Sequence, residues 1–148
     1  METWELAARE AIRETVAAYS FAADTGRFDE LAALFTPDGV LEIHDGETST
    51  GRDAIRAFLG GASRNLEAAS TTRMIRHFVS NLRISVESAA HASGACYFLA
   101  ITEIGIDHWG RYRDAYVPDG DAWLFEHRLV RVDGHASGGQ LQNTLRSP

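Results

Sequence analysis

His77 is the side chain best suited to chemistry in this sequence. It stands in the middle of Thr72-Thr-Arg-Met-Ile-Arg-His-Phe-Val-Ser-Asn-Leu-Arg-Ile-Ser-Val86, whose branched and aromatic residues read as one long strand. An imidazole changes charge at a pKa of about 6.5, so it can take up and return a proton at ordinary pH. Far upstream stands a lone acid, Asp24, among the apolar residues that follow Tyr19. A carboxylate bonded to one ring nitrogen fixes the tautomer of an imidazole and steadies the imidazolium. The pair implies proton transfer and names no substrate. Each residue alone also fits a plainer duty, Asp24 as a loop acid after a helix and His77 as a hydrogen-bonded strand histidine.

The remaining reactive side chains exclude other chemistries. His44, His91, His108, His127 and His135 lack the short ligand spacings of a metal site, so no metal is expected. The single cysteine, Cys96, excludes an internal disulfide and a cysteine-cluster metal site. Its neighbours Ala95, Tyr97, Phe98 and Leu99 make it a small core hydrophobe. No glycine-rich phosphate loop occurs, so no cofactor is expected. Tyr112, Asp114 and Tyr116 alternate with Arg111 and Arg113, which gives one strand face to a pocket and the other to an interface. Trp109, Phe98, Tyr112 and Trp123 are candidate aromatic walls for a ring-shaped ligand, although core packing would also employ them.

Composition sets the frame for these groups. The chain has 148 residues, enough for one domain with one sizeable core. Its 14 basic residues are all arginine, and against 21 acids they leave a net charge of −7. That balance argues against nucleic acid or an anionic membrane surface as partner. The start of the chain is acidic and has no apolar leader, and no run is long enough to span a membrane, so a cytoplasmic location is expected.

The elements that must position the pair follow from periodicity. Ile12, Val16, Tyr19 and Ala23 mark one face of a helix over residues 4 to 23, with Thr3 as N-cap and Thr25-Gly26 as its end. A shorter helix at 27 to 34 carries Phe28, Leu31 and Leu34. Thr36-Pro-Asp-Gly39 reads as a turn and Val40–His44 as a short strand. A third helix begins after Gly51 and stops at Gly60-Gly61, leaving residues 62 to 71 as a loop or short helix over a pocket mouth. Four strands follow, at 72–87, 90–104, 109–117 and 122–132, with turns at Ser88-Ala89, Gly105–His108 and Pro118–Asp121. Residues 1–134 form one domain and 135–148 a flexible or subunit-contacting tail. Helices first and antiparallel strands later imply an α+β fold. About three helices pack on one face of a strongly curved sheet, making a cone whose open end is a natural pocket.

This order resembles the nuclear-transport-factor-2-like superfamily, and within it the SnoaL-like branch. The resemblance is carried by Ala11–Asp24, Phe28–Val40, Gly51–Phe58, Arg76-His77 with Asn81, Gly110–Asp114 and Trp123–Arg128. Tyr19, Asp24, His77 and Arg128 resemble the pattern of the scytalone-dehydratase, bile-acid-dehydratase and dehydrochlorinase group. That likeness implies a cofactor-independent lyase or isomerase working by an Asp–His dyad on a small, hydrophobic, cyclic substrate. His77 would be the base and Asp24 its orienter. Tyr19 would donate a hydrogen bond to a leaving oxygen, and Arg128 would supply positive charge there. The ketosteroid-isomerase pattern fits less well, because Ile43 falls near the position of its acid and Glu42 faces the other way. The resemblance also allows a SnoaL-type cyclase or hydrolase with Asp24 as base, or a non-catalytic binding or oligomerisation module. It implies a homo-oligomer, trimer or dimer.

Overall fold

The computed structural model describes residues 1–69 and 71–140. Helix α1 runs Thr3–Thr25 and α2 Phe28–Ala32. Strands β1, Phe35–Ile43, and β2, Thr48–Thr50, precede helix α3, Arg52–Ala69. The rest is strand: β3 Ile75–Val86, β4 Ala92–Thr102, β5 Gly105–Asp119 and β6 Ala122–His135. These strands make a six-stranded sheet in the order β2-β1-β6-β5-β4-β3. Only β1 and β6 pair in parallel. The helices lie on one face of a curved sheet, the α+β cone expected from the element order. No described helix is long and apolar enough to cross a membrane.

Helix α1 buries Ala8, Ile12, Val16 and Tyr19, its apolar stripe, against the sheet. Gly26 ends it in a left-handed conformation at φ 72°, which glycine adopts without Cβ strain. The N-cap is Glu2 rather than Thr3, and it makes no side-chain capping bond.

Three local expectations are corrected. Residues 36–39 are not a free turn but lie inside β1. From Phe35 to Val40 the chain takes five residues where β6 takes two, Phe125 to His127, so the turn-forming residues bulge out of the ladder. Gly60-Gly61 does not stop α3, which runs on to Ala69. Leu59, Ala62, Ser63 and Leu66 share one helix face over a pocket, and that packing outweighs the propensity cost of two glycines, about 1 kcal/mol each. Residues 105–108 are not a turn but the start of β5.

Irregularities bend the sheet. Asn81 sits at φ 57° where the β3–β4 register slips between Ser80 and Arg83. Further slips fall at Ala100/Ile101 and at two places along β5–β6. Bulges of this kind raise local twist and let strands coil round a core. Gly110 sits at one of them, and a Cβ there would run into the carbonyl oxygen of Arg131.

Candidate active site

Asp24 is in the last turn of α1 and His77 is in β3, the strand at the edge of the sheet. An edge strand has backbone N–H groups without ladder partners. One of them, on His77, donates to both oxygens of Asp24 at 3.2 and 3.0 Å. The same carboxylate lies 2.6 Å from His77 Nδ1. Both side chains are largely buried, 10% exposed for Asp24 and 16% for His77. Because a carboxylate only accepts, Nδ1 donates; in the neutral ring Nε2 then carries the lone pair.

A second acid–imidazole pair stands beside the first. His77 pairs with Ala100 of β4, and Ala100 pairs with His108 of β5. The two histidines therefore share a row across three strands, with the smallest chiral side chain between them. Their ring centroids lie 6.3 Å apart. His108 Nδ1 is 2.7 Å from Asp107 Oδ1, and Asp107 has no exposed surface. Neighbouring strand residues normally face opposite ways. Here the register slips: one step on β4, Ala100 to Ile101, spans two on β5, Ile106 to His108. Asp107 is the extra residue of that bulge, so its carboxylate and the following imidazole both turn inward. Reading 105–108 as a turn concealed this pair. The available signal was an Asp-His dipeptide beginning a strand rich in aromatics.

Burial pushes the His108 imidazolium down; the Asp107 hydrogen bond works upward, His77 pushes down again, and the result lies below the ordinary histidine value. Burial alone would raise Asp107. Donors from Gln140, His108 and Thr102 outweigh it and hold the acid below its usual range.

Both imidazoles line one cavity of about 100 Å³. Its other walls are apolar, from Ala23, Phe28, Leu59, Ala62, Leu66 and Ile75, with Ser63 and Arg73 as polar spots. That is about two-thirds of a roughly 150 Å³ cavity that holds benzene. Arg73 joins the elements round it. It donates to Ser63 Oγ at 2.6 Å and to the carbonyls of Asp24 and Ala23 at 2.8 and 2.9 Å. It thereby caps α1, whose last turn has no basic residue of its own.

The other residues singled out in the sequence lie elsewhere. Tyr19 and Arg128 do not line this cavity. They belong to a sealed cluster in which Arg128, fully buried, grips Asp114 through Nε and Nη2 at 2.8 and 2.9 Å. Tyr116 donates to the same carboxylate at 2.8 Å. The guanidinium stacks on Tyr112 at 3.9 Å and on Tyr19 at 4.3 Å. Its Nη1 has no hydrogen-bond partner among the described residues. Burial would lower the Arg128 pKa, but Asp114 more than offsets it and the guanidinium stays charged. Burial raises the phenol of Tyr19 despite the opposing pull of Arg128. Tyr112 stacks on Phe98 at 4.6 Å, and Phe98 lies 6.3 Å from the His77 ring and 6.0 Å from His108. The cluster thus backs the wall beside the imidazoles. Trp109, one regular strand step beyond His108, faces the outer side, 39% exposed, and does not line this cavity. Trp123 is buried near the far end of β6, where its carbonyl accepts from Thr15. Cys96 is a core thiol, pushed by burial up to about 11. Among the described residues no three His, Cys, Asp or Glu side chains converge as metal ligands.

A family model for the SnoaL-like domain matches residues 4–129. The chain belongs to the SnoaL-like domain family. Its fold is similar to that of a putative scytalone dehydratase from Novosphingobium aromaticivorans, at 29% identity and a TM-score of 0.76, over 93% of this chain and 94% of that one. An NTF2-like protein with a cystatin-like fold from the same organism is 25% identical over 92% of this chain and 88% of its own, with a TM-score of 0.76. LinA, 20% identical, shares the fold at a TM-score of 0.74 over 88% of this chain and 89% of its own. No curated protein matches this SnoaL-like chain.

Proposed function

We propose that this SnoaL-like protein is a cofactor-independent lyase or isomerase, acting on a small, hydrophobic, cyclic substrate with a hydroxyl or carbonyl group. The observation that carries the reading is the 2.6 Å contact between Asp24 and His77 at the wall of an apolar cavity. The putative dehydratase among its structural relatives supports elimination as the direction. In that reaction Nε2 of His77 takes a proton from the carbon beside a carbonyl. The C–H electrons form the double bond as the C–O bond at the next carbon breaks. The imidazolium returns its proton to the departing oxygen, which leaves as water. Asp24 holds the ring and stabilises its charge. Positioned acid–base groups of this kind contribute about 10²–10⁴-fold. His108, kept neutral by burial, offers Nε2 as acceptor to a substrate hydroxyl. In an isomerase the same proton would return to a different carbon. Tyr19 and Arg128 serve by backing Tyr112 and Phe98 rather than by touching the leaving group.

Dehydration of 3-hydroxycyclohexanone, followed by the ultraviolet absorbance of the enone, tests this in the full chain. The expected result is turnover that falls by about 10² or more in His77→Ala and in Asp24→Asn. Equal turnover in His77→Ala would remove the dyad from the mechanism. A second reading, a binding module in which Asp24 is structural, draws on the bonds its carboxylate accepts from the His77 backbone. It predicts unchanged ring-ketone binding in both variants and no turnover in any of the three chains.

A further inference from the structure

The Asp107–His108 pair is completed by a segment that the proposed reaction does not touch. Just beyond β6 the backbone turns, with Gly139 N–H donating to the Ala136 carbonyl at 3.0 Å and Gly138 at φ 81°. The turn closes on Asp107. Ala136 N–H donates to the Asp107 carbonyl at 2.8 Å. Gln140 N–H donates to Oδ2 of its side chain at 2.7 Å, and Thr102 Oγ1 to the same oxygen at 2.9 Å. The approach is close: a Cβ at Gly139 would lie 3.0 Å from the carbonyl oxygens of both Ala136 and Asp107. Oδ1 is left for His108 Nδ1.

We infer that the backbone turn Ala136–Gln140 is a positioning element that sets the tautomer of His108. With the turn in place Asp107 is fully buried, and water is kept from its carboxylate. Two donors on Oδ2 favour the ionised acid, and an ionised carboxylate can only accept. Nδ1 therefore carries the ring proton, and Nε2, the nitrogen left for the cavity, is an acceptor. Without the turn the carboxylate loses the Gln140 donor and is opened to water, which competes with His108 for Oδ1. A ring released from Asp107 is free to take the Nε2–H form, and the cavity then presents a donor instead. The turn thus decides whether this wall selects a ligand hydroxyl or a ligand carbonyl. The use of that acceptor in an elimination rests on the proposed function; the tautomer does not.

Nitrogen-resolved NMR of labelled histidines in the full chain, near neutral pH, tests it. In the wild-type protein His77 and His108 should both be Nδ1–H tautomers with slowly exchanging ring protons. Gln140→Pro removes the donor N–H, whereas Gln140→Ala keeps it. Gln140→Pro should lose the His108 Nδ1–H signal and leave that of His77, while Gln140→Ala keeps both. Gly139→Val, which forces the turn off Asp107, should match Gln140→Pro. Loss of the His77 signal would mark a chain that has not folded, and Gly139→Val with the wild-type tautomer then decides. An Nε2–H tautomer of His108 in the wild-type protein overturns the inference. So does an unaltered His108 signal in a folded Gln140→Pro or Gly139→Val chain, or an equal loss in Gln140→Ala. A protein inert on every substrate tried would count against the elimination and leave the tautomer result standing.

Discussion

His77 and His108 meet because each was turned to the same face by a different device, one by regular strand alternation and one by a bulge. The first could be read from sequence. Asp24 sits where a helix must end before Gly26, and His77 sits mid-strand, so both positions follow from periodicity. The second could not, since strict alternation places Asp107 and His108 on opposite faces. Burial gives His108 a measurable consequence. Its folded pKa lies below the ordinary value, so below about pH 6.5 the unfolded chain binds a proton that the folded chain resists. Stability should therefore fall as pH drops below that value, by up to about 1.4 kcal/mol per unit, until the folded pKa is passed. Asp107, depressed in the fold, adds stability that is lost only at lower pH, as its own folded pKa is approached. Urea titrations between about pH 7 and 5 should show the first slope in the wild type and a flatter profile in His108→Gln. Arg128 answers to a different test. Removing one partner of a buried pair strands the other's charge, so Arg128→Met should cost about 3–5 kcal/mol in equilibrium unfolding. A loss under about 1 kcal/mol would show that Asp114 does not depend on it.

The elements were legible where periodicity was clean and misread where punctuation residues had been absorbed by packing. Helix α1 and the four long strands follow their apolar patterns. Gly60-Gly61 read as a stop, yet α3 continues because its face at Leu59, Ala62 and Leu66 roofs the cavity. Both glycines are ordinary helical positions with room for a methyl group: a Cβ at Gly61 comes no nearer than 3.7 Å to Arg64. Gly61→Ala should therefore stabilise the protein by about 0.5–1 kcal/mol, read as a raised urea midpoint at unchanged slope. A lowered midpoint would mean that the helix needs the flexibility of glycine there. Gly105 likewise suggested a turn. It does open a tight connection at φ 94°, but the strand begins at once and Asp107 falls in its bulge. The expectations for residues 141–148 lie outside the described residues.

The whole molecule turns two unlike faces outward. Helices cover the inner face of the sheet. The outer face exposes Phe78 at 55%, Tyr97 at 54% and Trp109 at 39%, and the register sets Phe78, Leu99 and Trp109 in one row. Self-association through this face is the proposal it supports, as the family resemblance implied. Phe78→Asp with Trp109→Arg should leave the fold intact and shift the species seen by light scattering towards the 16.2 kDa monomer. A wild-type protein already at that mass would remove the proposal. The central claim is that His77, oriented by Asp24, takes a proton from carbon. Its most direct test is the reverse reaction, hydration of cyclohex-2-enone in heavy water, followed as deuterium uptake into the carbon beside the carbonyl of the 3-hydroxycyclohexanone formed, in the wild type, His77→Gln and Asp24→Asn. The account predicts stereospecific uptake by the wild type and rates at least about 10²-fold lower in both variants. Uptake that is undiminished in His77→Gln would contradict it.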